Sequence, residues 1–372
     1  MSTSVTEAAK LNNQLSIPLC LLLLLAGESS LAVDPSKQMT QYAHTAWRMQ
    51  DGFLNGVPNA IAQTTDGYLW IGTQAGLMRF DGVRFVPWKP TSGEELSSSN
   101  ITALLGARDG SLWIGTDSGL SHLVDGDLIQ YPDRPGGVTE IMQRANGEIW
   151  FSHYQLIETA WGICKVVGAQ TQCYYGKNNG IPLVEDGSGS LWTGTGATLT
   201  RWQLSSPSTY AQHGLRLMGG AGVHSLALAR DGSMWVGMQS SGRGAGLQQF
   251  TNGAWKPVIA QHFDSSTLTV PALLLDRKNT LWVGTRGQGL YRIRGRQVDH
   301  YGSSNGLSGD DVSNMGLYED REGNIRVTTS LGLDCFRDLP VTTYTVPEGL
   351  PTGEADSVLA ARDGTIWSGS TK

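Results

Sequence analysis

The feature that most constrains this chain is internal repetition. Residues 66–73 (DGYLWIGT) recur as 109–116 (DGSLWIGT) and 231–238 (DGSMWVGM). Looser copies are 146–152 (NGEIWFS), 189–195 (GSLWTGT), 279–285 (NTLWVGT), 322–328 (EGNIRVT) and 363–370 (DGTIWSGS). Measured at the tryptophan, with Arg326 standing in once, the steps are 43, 37, 42, 43, 47, 44 and 41 residues. Each unit reads as four β-strands. In the first, residues 59–64 (NAIAQT) alternate in polarity, Asp66-Gly67 is a preferred hairpin turn, and 68–73 is a β-rich second strand. Residues 76–80 (GLMRF) form a third strand, Asp81-Gly82 turns again, and 83–88 (VRFVPW) form the fourth.

A four-stranded sheet of this size cannot bury both faces alone, so the units must stack radially, and this period with four strands is the propeller signature. The predicted fold class is all-β, a seven-bladed β-propeller of four-stranded antiparallel blades with the start of an eighth repeat. Trp70, Trp113, Trp150, Trp192, Trp235, Trp282 and Trp367 sit mid-strand, where each indole offers roughly 150–250 Å² to a blade interface. Glycine supplies 48 of 372 residues, with twelve tryptophans and only 16% charged residues, which excludes disordered, coiled-coil and long-helix chains. A net charge of −6 without clustered Lys or Arg argues against a nucleic-acid partner.

The phrase DG-x-LWIGT-x-x-GL-x-RF-DG at residues 66–82, preceded by DGFLNGVP at 51–58, resembles the two-component regulator propeller repeat. The resemblance spans residues 41–372 and is most specific in the first, second, fifth and sixth copies. The fourth departs at Gly187-Ser188-Gly189, and the seventh at Arg326. It implies seven blades per propeller, two propellers often in tandem, and the periplasmic sensor half of a histidine kinase, hybrid kinase or related signalling protein. Seven copies fill one ring over residues 41–339, and 340–372 would be an incomplete further repeat. Closure most naturally uses residues 42–47, which align with the outermost strand at 297–301. The alternative is closure by residues after Leu339.

Residues 15–26 (LSIPLCLLLLLA) are too short an apolar run to span a bilayer. With Lys10 ahead and Ser30-Leu31-Ala32 behind, residues 1–32 read as a secretory signal, the alternative being a short anchor. The mature chain would then be periplasmic or otherwise extracytoplasmic, where cysteines can oxidise. Gly168-Ala169 fits a two-residue hairpin turn, and counting outward sets Cys164 opposite Cys173. A bridge there or two free thiols are both open, and Cys335 is left single.

Catalytic signatures are missing. The seven histidines have no metal-binding spacing, and Gly242, Gly244 and Gly246 do not match a dinucleotide fingerprint. Ser304 matches G-x-S-x-G but falls in an inter-blade loop without a strand-to-helix elbow. No kinase, receiver or cyclase module is present, so the chain is predicted to be non-catalytic and to need no cofactor or metal. Recognition concentrates on loops held by a rigid scaffold, here the face carrying the loops from strand two to three and from strand four to the next blade. From the motif tryptophan to the glycine opening strand three takes 6 residues in the first, second and seventh units, but 12 in the third and 11 in the fifth. The third would place His153, Tyr154, Gln155 and Glu158 on that face, and the fifth Gln239 and Arg243. The shorter loops add Gln74, Asp117, Arg286 and Gln288.

An aromatic among amides and a few charges suits a small polar solute, of which a carbohydrate is one class. Expected partners are that solute, a downstream membrane signalling module in the full-length protein, and a second copy of the chain. The competing readings are an envelope scaffold that holds other proteins and, less favoured, a propeller lyase or hydrolase.

Overall fold

The computed structural model describes residues 33–372 apart from 91–93, 132–135, 156–159, 177–179, 203–206, 214–221, 261–262, 342–343, 345, 351–354 and 370–372. The expected leader, residues 1–32, lies outside the described residues. Each repeat starts from its turn chemistry. In the first, the Gly67 N–H donates to the Thr64 carbonyl at 3.0 Å, and the Thr64 N–H to the Tyr68 carbonyl at 3.1 Å. The chain therefore turns through three residues, with Gly67 left-handed at φ 93°, rather than through a two-residue Asp-Gly turn. The Asp side chain explains the difference, because Asp66 Oδ1 accepts the Tyr68 N–H at 3.2 Å and holds an Asx turn. In the sixth unit Asn279 takes the left-handed position at φ 63°, which Asn tolerates better than other side chains.

The first blade comprises Pro58–Gln63, Leu69–Thr73, Gly76–Phe80 and Phe85–Pro87, each strand antiparallel to the next. Six more blades start with the inner strands Ile101–Gly106, Gly137–Gln143, Leu183–Glu185, Val223–Leu228, Ala272–Leu275 and Val312–Glu319. Among the described residues there are thus seven four-stranded units. Successive inner strands are neighbours, and the last returns to the first through an Ala60–Met315 bridge, so the units close a ring. The helical content of the described residues is limited to three-residue 3-10 turns. The seventh blade takes its outer strand from the other end of the chain. Ala43–Arg48 pairs antiparallel with Gly332–Arg337. The closure is pinned by a 2.8 Å contact between His44 Nε2 and Asp334 Oδ1 and by the buried Arg292, which donates to the Lys37 carbonyl at 2.6 Å.

Two motif positions build the seams. The glycine two residues after the tryptophan is where the next blade approaches. A Cβ on Gly72 would lie 2.4 Å from Ile101 Cγ2, and one on Gly115 2.7 Å from Val138 Cγ1, with the same clash at Gly194 and Gly284. The tryptophan itself is buried in five blades and half-buried at Trp235. In three blades its indole N–H finds an acceptor six residues upstream, Thr64 for Trp70, Asp186 for Trp192 and Asp276 for Trp282, at 2.8–2.9 Å, while Trp150 donates to Glu148. Arg326 preserves that arrangement with different atoms. Its Nε and Nη2 each lie 2.9 Å from Asp320 Oδ2, six residues upstream, and both residues are buried.

The eighth motif copy departs from its expected role. Ser357–Ala360 and Ile366–Gly369 pair only with each other, and Trp367 is 65% exposed instead of lying at a seam. Among the described residues no further strand joins the hairpin. In the third blade, Gly168 adopts φ 60° and sets the register Val167–Gln170 through Cys164–Cys173, whose sulfurs are bonded. Cys335 is a buried free thiol whose pKa burial pushes up to about 11, which leaves it inert at neutral pH.

Candidate functional site

The motif threonine prepares one face of the ring. Thr73 Oγ1 donates to the Gly76 carbonyl at 2.8 Å and accepts the Ala75 N–H at 3.0 Å, and Thr116 and Thr285 bond the carbonyls of Gly119 and Gly289 in the same way. The residue that follows each, Gln74, Asp117 or Arg286, is therefore held at a fixed place on the loop face. A second device acts on the inner strands. The pairing of strand one with strand two slips by one residue in the first, second, third and fifth blades, and the extra residues are Asn59, Thr102, Thr139 and His224. A bulge turns its unpaired side chain out of the sheet, here toward the ring axis.

These two devices meet at the channel mouth in a cavity of about 470 Å³, lined by Gln74, Asn59, Asn100, Thr102, Thr139, Arg286 and Asn314 among others. Asn59 Nδ2 donates to Asn100 Oδ1 at 3.2 Å, and Asn100 Nδ2 to Asp117 Oδ2 at 3.1 Å. Burial alone would raise the Asp117 pKa, but bonds from Ser98, Asn100 and Ser118 outweigh it and hold the carboxyl below its usual range. Arg286 Nη2 donates to Asn314 Oδ1 at 2.6 Å, while the buried Thr139 Oγ1 has no hydrogen-bond partner. The mouth is thus rich in amides and hydroxyls, with one guanidinium and the Asp311 carboxylate.

Deeper in the channel, Asn314 also borders a cavity of about 50 Å³ with Glu140, His224 and Ser225. Glu140 Oε2 accepts the Leu183 N–H at 2.9 Å. The side chain is half-buried, and desolvation pushes its pKa up to about 8. His224 is 5% exposed; desolvation, aided by the Arg286 charge and opposed by a side-chain hydrogen bond with Asn314, holds its pKa below the ordinary imidazole value, and its Nε2 has no hydrogen-bond partner among the described residues. No group of three or more His, Cys, Asp or Glu residues placed to hold a metal occurs among the described residues.

Of the residues singled out from the sequence, Gln74 and Arg286 line the mouth and Asp117 braces it. The others are elsewhere. Gln239 and Arg243 are exposed on the long loop of the fifth blade and do not line either channel cavity. Gln288 is engaged with the Thr267 carbonyl and the Tyr291 hydroxyl. The long segment in the third blade extends the strands instead of the loop, because Ile149–Gln155 pairs with Ala160–Val167 as far as Gln155–Ala160. His153 is consequently a strand residue, 1% exposed, with Nδ1 3.1 Å from the Tyr175 hydroxyl, and Tyr154 packs on Trp161 with ring centroids 4.9 Å apart. Tyr154 and Gln155 do not reach the mouth cavity, and Glu158 lies outside the described residues.

Asn59, Asn100, Thr139, Glu140, His224 and Asn314 were not picked out from the sequence. Glu140 did leave a signal. Ten residues before the motif tryptophan the other units carry Ala60, Ala103, Pro182, Ser225, Ala272 and Gly316, all small or ring-closed, and only the third carries a long charged side chain. A third cavity, of about 370 Å³, lies at the seam of the fourth and fifth blades, but its Asp186–Arg201 pair is closed at 2.9 Å.

The two component regulator propeller family matches residues 52–75 and 95–118. No curated protein matches the sequence. Similar solved structures include the extracellular domains of two hybrid two component systems from B. thetaiotaomicron. One is 18% identical with a TM-score of 0.68, over 88% of this chain and 47% of that one. The other is 20% identical with a TM-score of 0.63, over 88% and 44%. This chain therefore spans less than half the length of either. Virginiamycin B lyase from Staphylococcus aureus, solved with quinupristin, is 13% identical with a TM-score of 0.60, over 80% of this chain and 100% of that one. At these identities the likeness is one of fold. The chain is an all-β propeller that carries two component regulator propeller repeats.

Proposed function

We propose that this propeller is an extracytoplasmic sensing domain that binds a small polar solute at the channel mouth and passes the event to a membrane-linked output module. The observation that carries the reading is the convergence of Asn59, Asn100, Gln74, Thr102, Asn314 and Arg286 on one cavity of about 470 Å³. That volume lies within the range of small-molecule sites, and a lining of amides and hydroxyls matches the hydroxyls of a carbohydrate. The repeat family and the extracellular domains of similar fold support the extracytoplasmic setting. The exposed face of the terminal hairpin, with Val358, Leu359, Ile366 and Trp367, supports further blades packing there in the full-length protein.

The test is a thermal-shift survey of glycans and small metabolites on residues 33–372. A ligand that binds only the folded state raises Tm with concentration above its Kd. One chemical class should do so, and Asn59→Ala and Arg286→Ala should each weaken the shift. A shift that survives both variants overturns the mouth as the site. If no solute shifts Tm, the scaffold reading takes precedence, and co-purification with envelope proteins becomes the measurement.

A lyase reading draws on the fold of virginiamycin B lyase and on Glu140 and His224 facing one cavity, since two titratable groups pushed in opposite directions suit acid and base roles. The space beside them is about 50 Å³, which is too small to admit a substrate of any size. The sensing reading accounts for more of the channel.

A further inference from the structure

The floor of the channel has a chemistry that solute recognition at the mouth does not use. Glu140 has no cation within ion-pair distance among the described residues, and its only hydrogen bond there comes from the Leu183 N–H. A half-buried carboxylate that its surroundings desolvate and no cation pairs is costly. Across the same 50 Å³ cavity, the buried His224 Nε2 is also without a partner, although its bulge position aims it at the axis. Asn314 closes the cavity toward the mouth, where its Oδ1 is occupied by Arg286. Two acceptors therefore face a space that holds one or two non-hydrogen atoms, far below the roughly 300 Å³ of a drug-sized site.

We propose that the floor of the central channel is a subsite for a small primary ammonium group, with the Glu140 carboxylate as counter-ion and His224 Nε2 as a second hydrogen-bond acceptor. An ammonium supplies three donors and a positive charge, whereas a hydroxyl of the same size leaves the carboxyl uncompensated. The charged and titratable groups lining the two channel cavities are Glu140, His224, Arg286 and Asp311. Burial and the nearby Arg286 charge favour neutral His224, which does not repel the cation; Arg286 is the one cation lining the two cavities, and the Asp311 carboxylate lines the mouth with it. Without a cation beside it, desolvation favours the protonated form of the Glu140 carboxyl. On binding, the carboxyl proton leaves to solvent and the ammonium takes its place, so binding and proton release are coupled one to one. This inference goes beyond the solute reading and does not rest on it.

The experiment is titration calorimetry of the protein with methylammonium chloride from pH 6 to pH 9 at constant ionic strength, repeated in two buffers of different ionisation enthalpy. The amine stays protonated throughout, since alkylammonium pKa values are near 10.4. Affinity should rise about tenfold per pH unit below pH 7 and level off above about pH 8, with close to one proton released per ammonium bound at the acid end. Glu140→Gln, which keeps the shape and removes the charge, should abolish binding. Binding that persists in Glu140→Gln, affinity that is flat with pH, the same saturation by methanol, or no binding at pH 9 would each overturn the subsite. The proton count is read on the unmodified protein, so the outcome does not depend on the variant folding.

Discussion

The first blade and the terminal hairpin start from nearly the same words and end in different environments. Residues 66–72 read DGYLWIG and 363–369 read DGTIWSG, and both fold into the same hairpin, with Ala62 opposite Trp70 and Leu359 opposite Trp367. Trp70 is 6% exposed and Trp367 is 65% exposed. The turn and register are local properties, fixed by an Asx contact and a left-handed glycine. Asp363 Oδ1 accepts the Thr365 N–H at 2.9 Å just as Asp231 accepts that of Ser233. Burial belongs to the neighbouring blade, and there the two hairpins part.

The largest test of that division is to remove an indole from a seam. Trp282 is wholly buried and bonded to Asp276, so Trp282→Ala should cost about 3–5 kcal/mol in denaturant unfolding. A similar loss is expected in the seventh blade for Arg326→Met, about 3–5 kcal/mol, because it strands the buried Asp320 carboxylate. Arg326→Trp keeps an N–H donor and should recover most of it. If Arg326→Trp is as damaging as Arg326→Met, the guanidinium is not an isologue of the indole and the seventh seam is built on another principle.

Next in size is the motif glycine. Gly72→Ala drives a methyl into Ile101 of the second blade and should cost about 1–3 kcal/mol. The equivalent Gly369 meets only Ser357 Oγ of its own hairpin, at 2.7 Å, so Gly369→Ala should leave the unfolding midpoint unchanged. Equal costs at the two glycines would mean that the residue serves strand geometry and not blade approach.

The same split between local and neighbour-derived properties decides what the sequence could reveal. Strand order, the Cys164–Cys173 hairpin register and ring closure by Ala43–Arg48 were legible because turn residues and repeat spacing are local signals, whereas the motif hairpin, read as a two-residue turn, is one residue longer. Gln74, Asp117 and Arg286 were reached because they follow strand two in each repeat, while the threonine that fixes each of them was not read as a signal. The inner-strand bulges were not, since a one-residue slip changes no residue type, and with them went Asn59, Thr139 and His224. His153 was misplaced because segment length alone does not distinguish a longer loop from longer strands. Glu140 was hidden for another reason, as its meaning appears only when the same position is compared across blades.

Titration offers an effect of the same kind. Asp363 is held below its ordinary pKa by Thr365 in its own turn, whereas Glu140 is raised to about 8 by the strands that surround it. An acid whose folded pKa lies above its unfolded value of about 4.3 stabilises the fold at low pH, and that contribution is lost as pH rises toward 8. The loss is at most about 1.4 kcal/mol per pH unit, and the partial exposure of the side chain makes it less. Unfolding free energy of the unmodified protein should therefore fall between pH 5 and pH 8 relative to Glu140→Gln, with the two curves parallel above pH 9. Parallel curves throughout would mean that the carboxyl is solvated like a surface group.

The smallest expected effect completes the comparison. Trp367→Ala removes the residue that matches Trp70, yet it removes few contacts, and surface substitutions of this type stay within about 0.5 kcal/mol. The informative measurement is therefore the fluorescence of Trp367 in a longer chain that continues into the next repeats. If blades stack on this hairpin, its emission should shift to the blue and its quenching by iodide should fall, and Trp367→Ala should then become as costly as Trp282→Ala. Were the indole to stay exposed in that longer chain, the hairpin would be a free element and the motif would specify a turn without specifying a blade.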